Sequence, residues 1–168
     1  MWRPSIATRR NADSLLALQV IPETFQKEFS QNITAFIDKH ESLFKADDFL
    51  LLHGDCHFGN LISRQEEGFY LVDFDDCVVG PAIQDVWMLL PDIPEHCQTE
   101  LSWFAEGYET FRDFPDSSLK LIPVLSLMRQ IHFAAWCAIQ KDEPHFQTHF
   151  PTWGSPQYWE VLIRDLQI

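Results

Sequence analysis

FLLLHGDCHFGNLISRQEEGFYLVDFDDCVVGPAIQDVWMLL, residues 49–90, is the stretch on which the reading of the chain turns. Acidic, amide and imidazole side chains lie here between two apolar runs, and four of the six glycines (Gly54, Gly59, Gly68, Gly80) fall inside it. Backbone freedom is thus concentrated beside the densest polar cluster, where chemistry is expected. Residues 49–52 are a short apolar run ending in polar residues, the pattern of a buried strand feeding a loop. Residues 61–63 and 69–72 are β-type runs joined by Arg-Gln-Glu-Glu-Gly, which predicts a hairpin. After the Gly80-Pro81 break, residues 82–90 have helical character until Pro91 stops them.

Outward from this centre the pattern turns helical. Upstream, beyond an irregular basic start, Pro22 opens a run in which Phe25, Phe29, Ile33, Phe36, Ile37, Leu43 and Phe44 recur at three- and four-residue steps. Downstream, residues 95–111 place Leu101, Phe104, Tyr108 and Phe111 on one face. Ser118 is positioned to cap a helix over 119–139, and Ser155-Pro156 to start one over 157–166. Residues 141–154 lack periodicity and read as a surface loop. The expected fold is mainly α with a small β-hairpin. It forms one domain over residues 1–168, with a core at 49–90 and a helical remainder at 91–168.

Composition narrows the function. With 168 residues, 46% of them hydrophobic and 14% aromatic, the chain can bury one substantial core. A net charge of −13 with 12 Lys and Arg argues against nucleic acid as a partner. The basic N-terminus has no apolar core of the secretory kind. The long apolar segment 119–139 is interrupted by Lys120, Arg129 and His132, so a buried helix is expected and no membrane partner. Cys56, Cys77, Cys97 and Cys137 form no CxxC, and free thiols in a cytoplasmic setting fit best.

Asp55, Asn60 and Asp73 stand out because all three are oxygen donors at strand ends or in the loop between strands. Mg²⁺ is commonly held by one or two such groups, with water and substrate phosphates completing its shell. A separate carboxylate can then orient an attacking hydroxyl. The plainer alternatives are a loop carboxylate capping its own turn, a turn amide and a strand-end cap. Asp75 and Asp76 are either drawn together by a cation or solvated. His53 reads as a hydrogen-bonded structural residue, and His57 as either loop packing or a phosphate or substrate contact. The HxDxH array of His53, Asp55 and His57 leaves Zn²⁺ as a further alternative.

HGDCHFGN, residues 53–60, followed by LVDFDD, residues 71–76, resembles the catalytic loop and metal-binding segment of the aminoglycoside phosphotransferase and choline kinase superfamily, which is protein kinase-like. The fuller string through GPAIQDVWMLL is most similar to the bacterial stress response kinase A type of Ser/Thr protein kinase. The resemblance implies that Asp55 is catalytic, that Asn60 and Asp73 bind Mg²⁺ and the ATP phosphates, and that Asp85 and His53 are structural support. It implies ATP as phosphoryl donor and a hydroxyl acceptor, a protein Ser or Thr or an aminoglycoside- or choline-like small molecule. No glycine precedes Gly54, so the glycine-rich loop, strand lysine and helix glutamate of such enzymes are not found. The expectation is a C-terminal lobe with its N-terminal lobe missing and little activity alone. An exposed lobe interface would be open to an N-terminal lobe in trans or to self-association. A non-catalytic module that engages a basic partner is the reading from a different class.

Overall fold

A computed structural model describes residues 1–168. The chain gathers into two compact units, one of Met1–Trp2 with Lys45–Pro123, the other of Arg3–Phe44 with Val124–Ile168.

The first unit contains the polar stretch. β1 (Phe49–Leu52) pairs antiparallel with β4 (Val78–Pro81), and β2 (Leu61–Arg64) with β3 (Gly68–Leu71). The β2–β3 hairpin stands where the sequence predicts it. β4 replaces the expected Gly-Pro break with a strand, because both breakers sit at its end and are accommodated there. A Cβ at Gly80 would come within 2.8 Å of Trp2 Cβ. Glycine therefore lets the Trp2 backbone run alongside, and Trp2 N–H donates to Val79 O at 2.6 Å. α3 (Ile83–Trp87) follows, then α4 (Gln98–Tyr108).

The second unit is helical. A π-type turn at Pro4–Thr8 runs into α1 (Arg9–Ala17), where an irregular start is expected from sequence. Its buried residues Ala7, Thr8, Asn11, Ala12 and Leu15 recur at helical steps, but small and polar residues give that face a weak apolar signal. α2 (Glu23–His40) buries Phe29, Ile33, Phe36 and Ile37, with Glu23 in its first turn and Lys39 and His40 in its last, complementing the helix dipole. α5 (Ile122–Gln140) is entered through a 3-10 turn at Asp116–Leu121, in which Ser118 Oγ donates to Pro115 O at 2.6 Å instead of capping a helix at 119. By length and composition Asp116–Gln140 could cross a membrane, yet 56% of its most apolar window is buried inside the protein, the pattern of a core helix. A single turn, α6 (Phe146–His149), lies within the expected loop. In α7 (Pro156–Asp165) Ser155 Oγ accepts Tyr158 N–H at 3.2 Å, and Trp159, Leu162 and Ile163 are buried. Asn32 of α2 donates to Ile163 O at 3.1 Å, tying the two helices.

Candidate active site

β1 ends in the 53–60 loop, and α3 holds the start of that loop from beneath. Asp85 Oδ2 accepts His53 N–H at 2.7 Å and Oδ1 accepts Gly54 N–H at 2.9 Å, so one carboxylate satisfies two consecutive backbone donors. Gly54 has φ +87, and a Cβ there would lie 2.2 Å from Asp76 O. The 53–60 loop and the 73–77 loop therefore pack backbone against backbone at this glycine. Gln84, fully buried, points Nε2 at Gly54 O from 3.5 Å while its Oε1 accepts Trp87 Nε1–H at 3.1 Å. Sequence reasoning missed Gln84; its only signal is an amide beside Asp85 in an otherwise apolar turn.

Val72 is fixed from both sides. Its N–H donates to Asn60 O at 3.0 Å, and its carbonyl accepts His53 Nε2–H at 2.9 Å. His53 Nδ1 accepts Asp55 N–H at 3.3 Å, so the network makes this ring the neutral Nε2–H form, with both nitrogens engaged. The ring also lies 4.8 Å from Phe74, centroid to centroid. Asp73 leaves this clamped peptide in the left-handed region, at φ +65. A non-glycine residue held there is uncommon and is maintained by its surroundings. Asp75 and Asp76 are exposed.

Asn60 is buried, and its Nδ2 donates to Asp55 O at 2.9 Å, which turns Oδ1 toward the role of oxygen donor. One neutral and one anionic oxygen ligand, from Asn60 and Asp73, suit a hard divalent cation that keeps water and phosphate in its shell. The residues do not suit zinc. Both nitrogens of His53 are engaged, and no group of three or more His, Cys, Asp and Glu could hold a metal ion. His57 Nδ1 accepts Gly59 N–H at 2.9 Å, and its Nε2 lies 3.6 Å from Asp55 Oδ2. Burial, with the Asp85 and Asp55 carboxylates nearby, pushes the Cys56 thiol up to about 11. The structure thus brings Asp55 and Asn60 into direct contact and ties Asp73 to both through Val72 and His53.

Residues 2–115 match the phosphotransferase enzyme family. Stress response kinase A of Escherichia coli O157:H7 is 40% identical over 115 residues, covering 67% of this chain and 34% of that protein. The serine/threonine protein kinase RdoA of Salmonella typhimurium is 39% identical over 111 residues, covering 66% and 33%. The chain therefore spans about a third of the length of the curated relatives it matches. Among solved structures, amicoumacin kinase hAmiN in complex with AMP-PNP, Ca2+ and Ami shares the fold, with a TM-score of 0.60 at 23% identity over 89% of this chain and 46% of that one. With the family match extending over well more than half of its residues, the chain belongs to the phosphotransferase enzyme family.

Proposed function

We propose that the chain is the acceptor-side lobe of an ATP- and Mg²⁺-dependent phosphotransferase that acts on a hydroxyl, with protein Ser/Thr as the acceptor class and the cytoplasm, where four free thiols persist, as its compartment. The observation that carries this reading is the fixed Val72 backbone, its N–H bonded to Asn60 and its carbonyl to His53, which ties the two oxygen donors Asn60 and Asp73 to the loop that carries Asp55. Bound Mg²⁺ would neutralise charge on the transferring phosphates. In this reading Asn60 Oδ1 and the Asp73 carboxylate hold the ion, and Asp55 orients the acceptor hydroxyl and accepts its proton. Asp85 and His53 fix the backbone on which these groups are mounted. The names of the relatives, stress response kinase A and a serine/threonine protein kinase, favour a protein acceptor.

Electrostatics limit what this lobe does by itself. The unit that contains the site holds 16 of the 25 acidic residues and 4 of the 12 basic ones, a net charge of −12. A polyphosphate approaching it needs Mg²⁺ and further cations supplied by additional polypeptide. Leu51, Phe58, Phe69 and Phe74 are 76%, 66%, 77% and 56% exposed in the same unit, large apolar side chains of the kind a further lobe would cover. Isothermal titration of Mg–ATP into the chain, alone and with a nucleotide-binding lobe added in trans, tests the reading. Binding that Asp73→Ala abolishes is expected, and no interaction in either format overturns it.

The acidic unit also supports a second reading, a non-catalytic module that engages a basic partner. Capture of a basic peptide with equal affinity by wild type and Asp55→Asn, without Mg–ATP binding, is the outcome that favours it.

A further inference from the structure

The two loops of the candidate site spring from one two-stranded sheet. β1 ends at Leu52, where the 53–60 loop begins, and β4 starts at Val78, where the 73–77 loop ends. Leu52 pairs with Val78, and a Cβ at Gly54 would lie 3.3 Å from Val78 Cγ1, so the sheet sets the two loops side by side. Two strands by themselves are a marginal structure, and a third element is needed to make such a base rigid. Trp2 is docked on this one. Its N–H donates to Val79 O at 2.6 Å, and the residue is 5% exposed. A Cβ at Gly80 would stand 2.8 Å from Trp2 Cβ and 3.2 Å from Leu52 Cδ1, so Trp2 and the last residue of β1 meet over a glycine of β4.

We infer that Trp2 is a positioning residue for the candidate site: by docking on β4 and against Leu52 it holds the sheet from which the loops of Asp55, Asn60 and Asp73 are presented. The inference deepens the phosphotransferase reading and rests on it for its consequence in binding, though not for its geometry. Asn60 and Asp73 serve one cation only while their loops keep a fixed separation, because Mg²⁺ demands a near-ideal octahedron. A large buried ring combined with a backbone bond to the same strand fixes that separation from the far end of the sheet. The sequence hides the role, since a tryptophan some 50 residues before the loop has no local pattern that links it to β4.

Substitutions from the two sides of the contact test the role. Trp2→Ala removes the ring, while Gly80→Ala leaves the tryptophan intact and puts a methyl where its Cβ now lies. In the full chain under native conditions, both are expected to quicken amide hydrogen exchange about tenfold at His53, Gly54 and Val72, whose N–H groups fasten the two loops. Exchange at Leu101, in the first turn of α4 and in the same unit, is expected to stay at the wild-type rate. Trp2→Phe keeps a buried ring and should return the loop amides toward wild type. Unchanged exchange at the three loop amides overturns the inference. So does an equal rise at Leu101, because the tryptophan then stabilises the whole unit without positioning its loops. With a nucleotide-binding lobe added, Mg–ATP is expected to bind about tenfold more weakly to Trp2→Ala and to recover in Trp2→Phe, and equal affinity in wild type and Trp2→Ala also overturns it. If the wild type does not bind Mg–ATP, the phosphotransferase reading fails, while exchange still decides whether Trp2 holds the loops.

Discussion

Gly54 and Gly68 both have positive φ, +87 and +94, yet substitution should separate them sharply. A Cβ at Gly68 meets nothing within 4 Å, so Gly68→Ala adds only the cost of a left-handed alanine, about 1 kcal/mol. At Gly54 the same methyl would overlap Asp76 O, and the two loops that carry Asp55 and Asp73 would be forced apart. Gly54→Ala is expected to lose about 3 kcal/mol or more in urea unfolding, and to lose Mg–ATP binding as well. At the same scale, the Cys56 thiol gives stability a signature at alkaline pH. Held near 11 against an ordinary value of 9.0, it keeps its proton in the folded state where the unfolded chain has given it up. The folded state then binds more protons, so stability falls as pH rises from 9 toward 11. Burial raises the Cys137 thiol to about 11 as well and adds a slope of the same sign, so Cys56→Ala should lessen the slope without removing it, and urea midpoints at stepped pH measure it. Asp55, Asn60 and Asp73 can be singled out in sequence as candidates because oxygen donors in register carry a chemical pattern. The Val72 clamp is not, because it uses backbone groups that every residue has.

At the scale of elements, α7 shows local and tertiary terms acting on one helix. Ser155 and Pro156 mark its start in the sequence, and the Ser155 Oγ bond to Tyr158 N–H satisfies one of the donors that the first turn leaves open. Ser155→Ala is expected to destabilise by about 1 kcal/mol. Trp159 is fully buried among Trp153 and Tyr158, with ring centroids 6.1 and 5.1 Å away, and Trp159→Ala should cost about 3–5 kcal/mol. Chemical unfolding that ranks the cap above the tryptophan would contradict this account. The same contrast explains which elements could be read in advance. α2, α7 and the β2–β3 hairpin combine periodic apolar residues with marked ends. β4 combines strand residues with Gly80 and Pro81, and its partner β1 lies 25 or more residues earlier, so its pairing has no local signature. α1 is hidden for another reason: its buried face is built of alanine, asparagine and a single leucine.

For the whole molecule, the uneven charge is the property most open to a direct test. The unit with the candidate site carries −12, while the other is nearly neutral at −1. Like charges crowded on one compact unit repel one another in the folded state, and salt relieves that repulsion. Raising NaCl from about 10 to about 150 mM shortens the screening length from about 30 to about 8 Å, so the unfolding midpoint should rise by a few degrees. Asp73→Ala and Asn60→Ala should respond to NaCl much as wild type does, since each alters the total charge by one at most. Mg²⁺ at constant ionic strength asks a different question. A cation held by Asn60 and Asp73 stabilises the folded state by mass action, beyond screening, and that increment should appear in wild type and vanish in both variants. An Mg²⁺ increment of equal size in all three proteins would mean that the ion is held diffusely by the acidic surface. Asn60 and Asp73 would then lose their assignment as the metal pair, and the remaining claim would be a shaped loop around Asp55 without the cation that phosphoryl transfer requires.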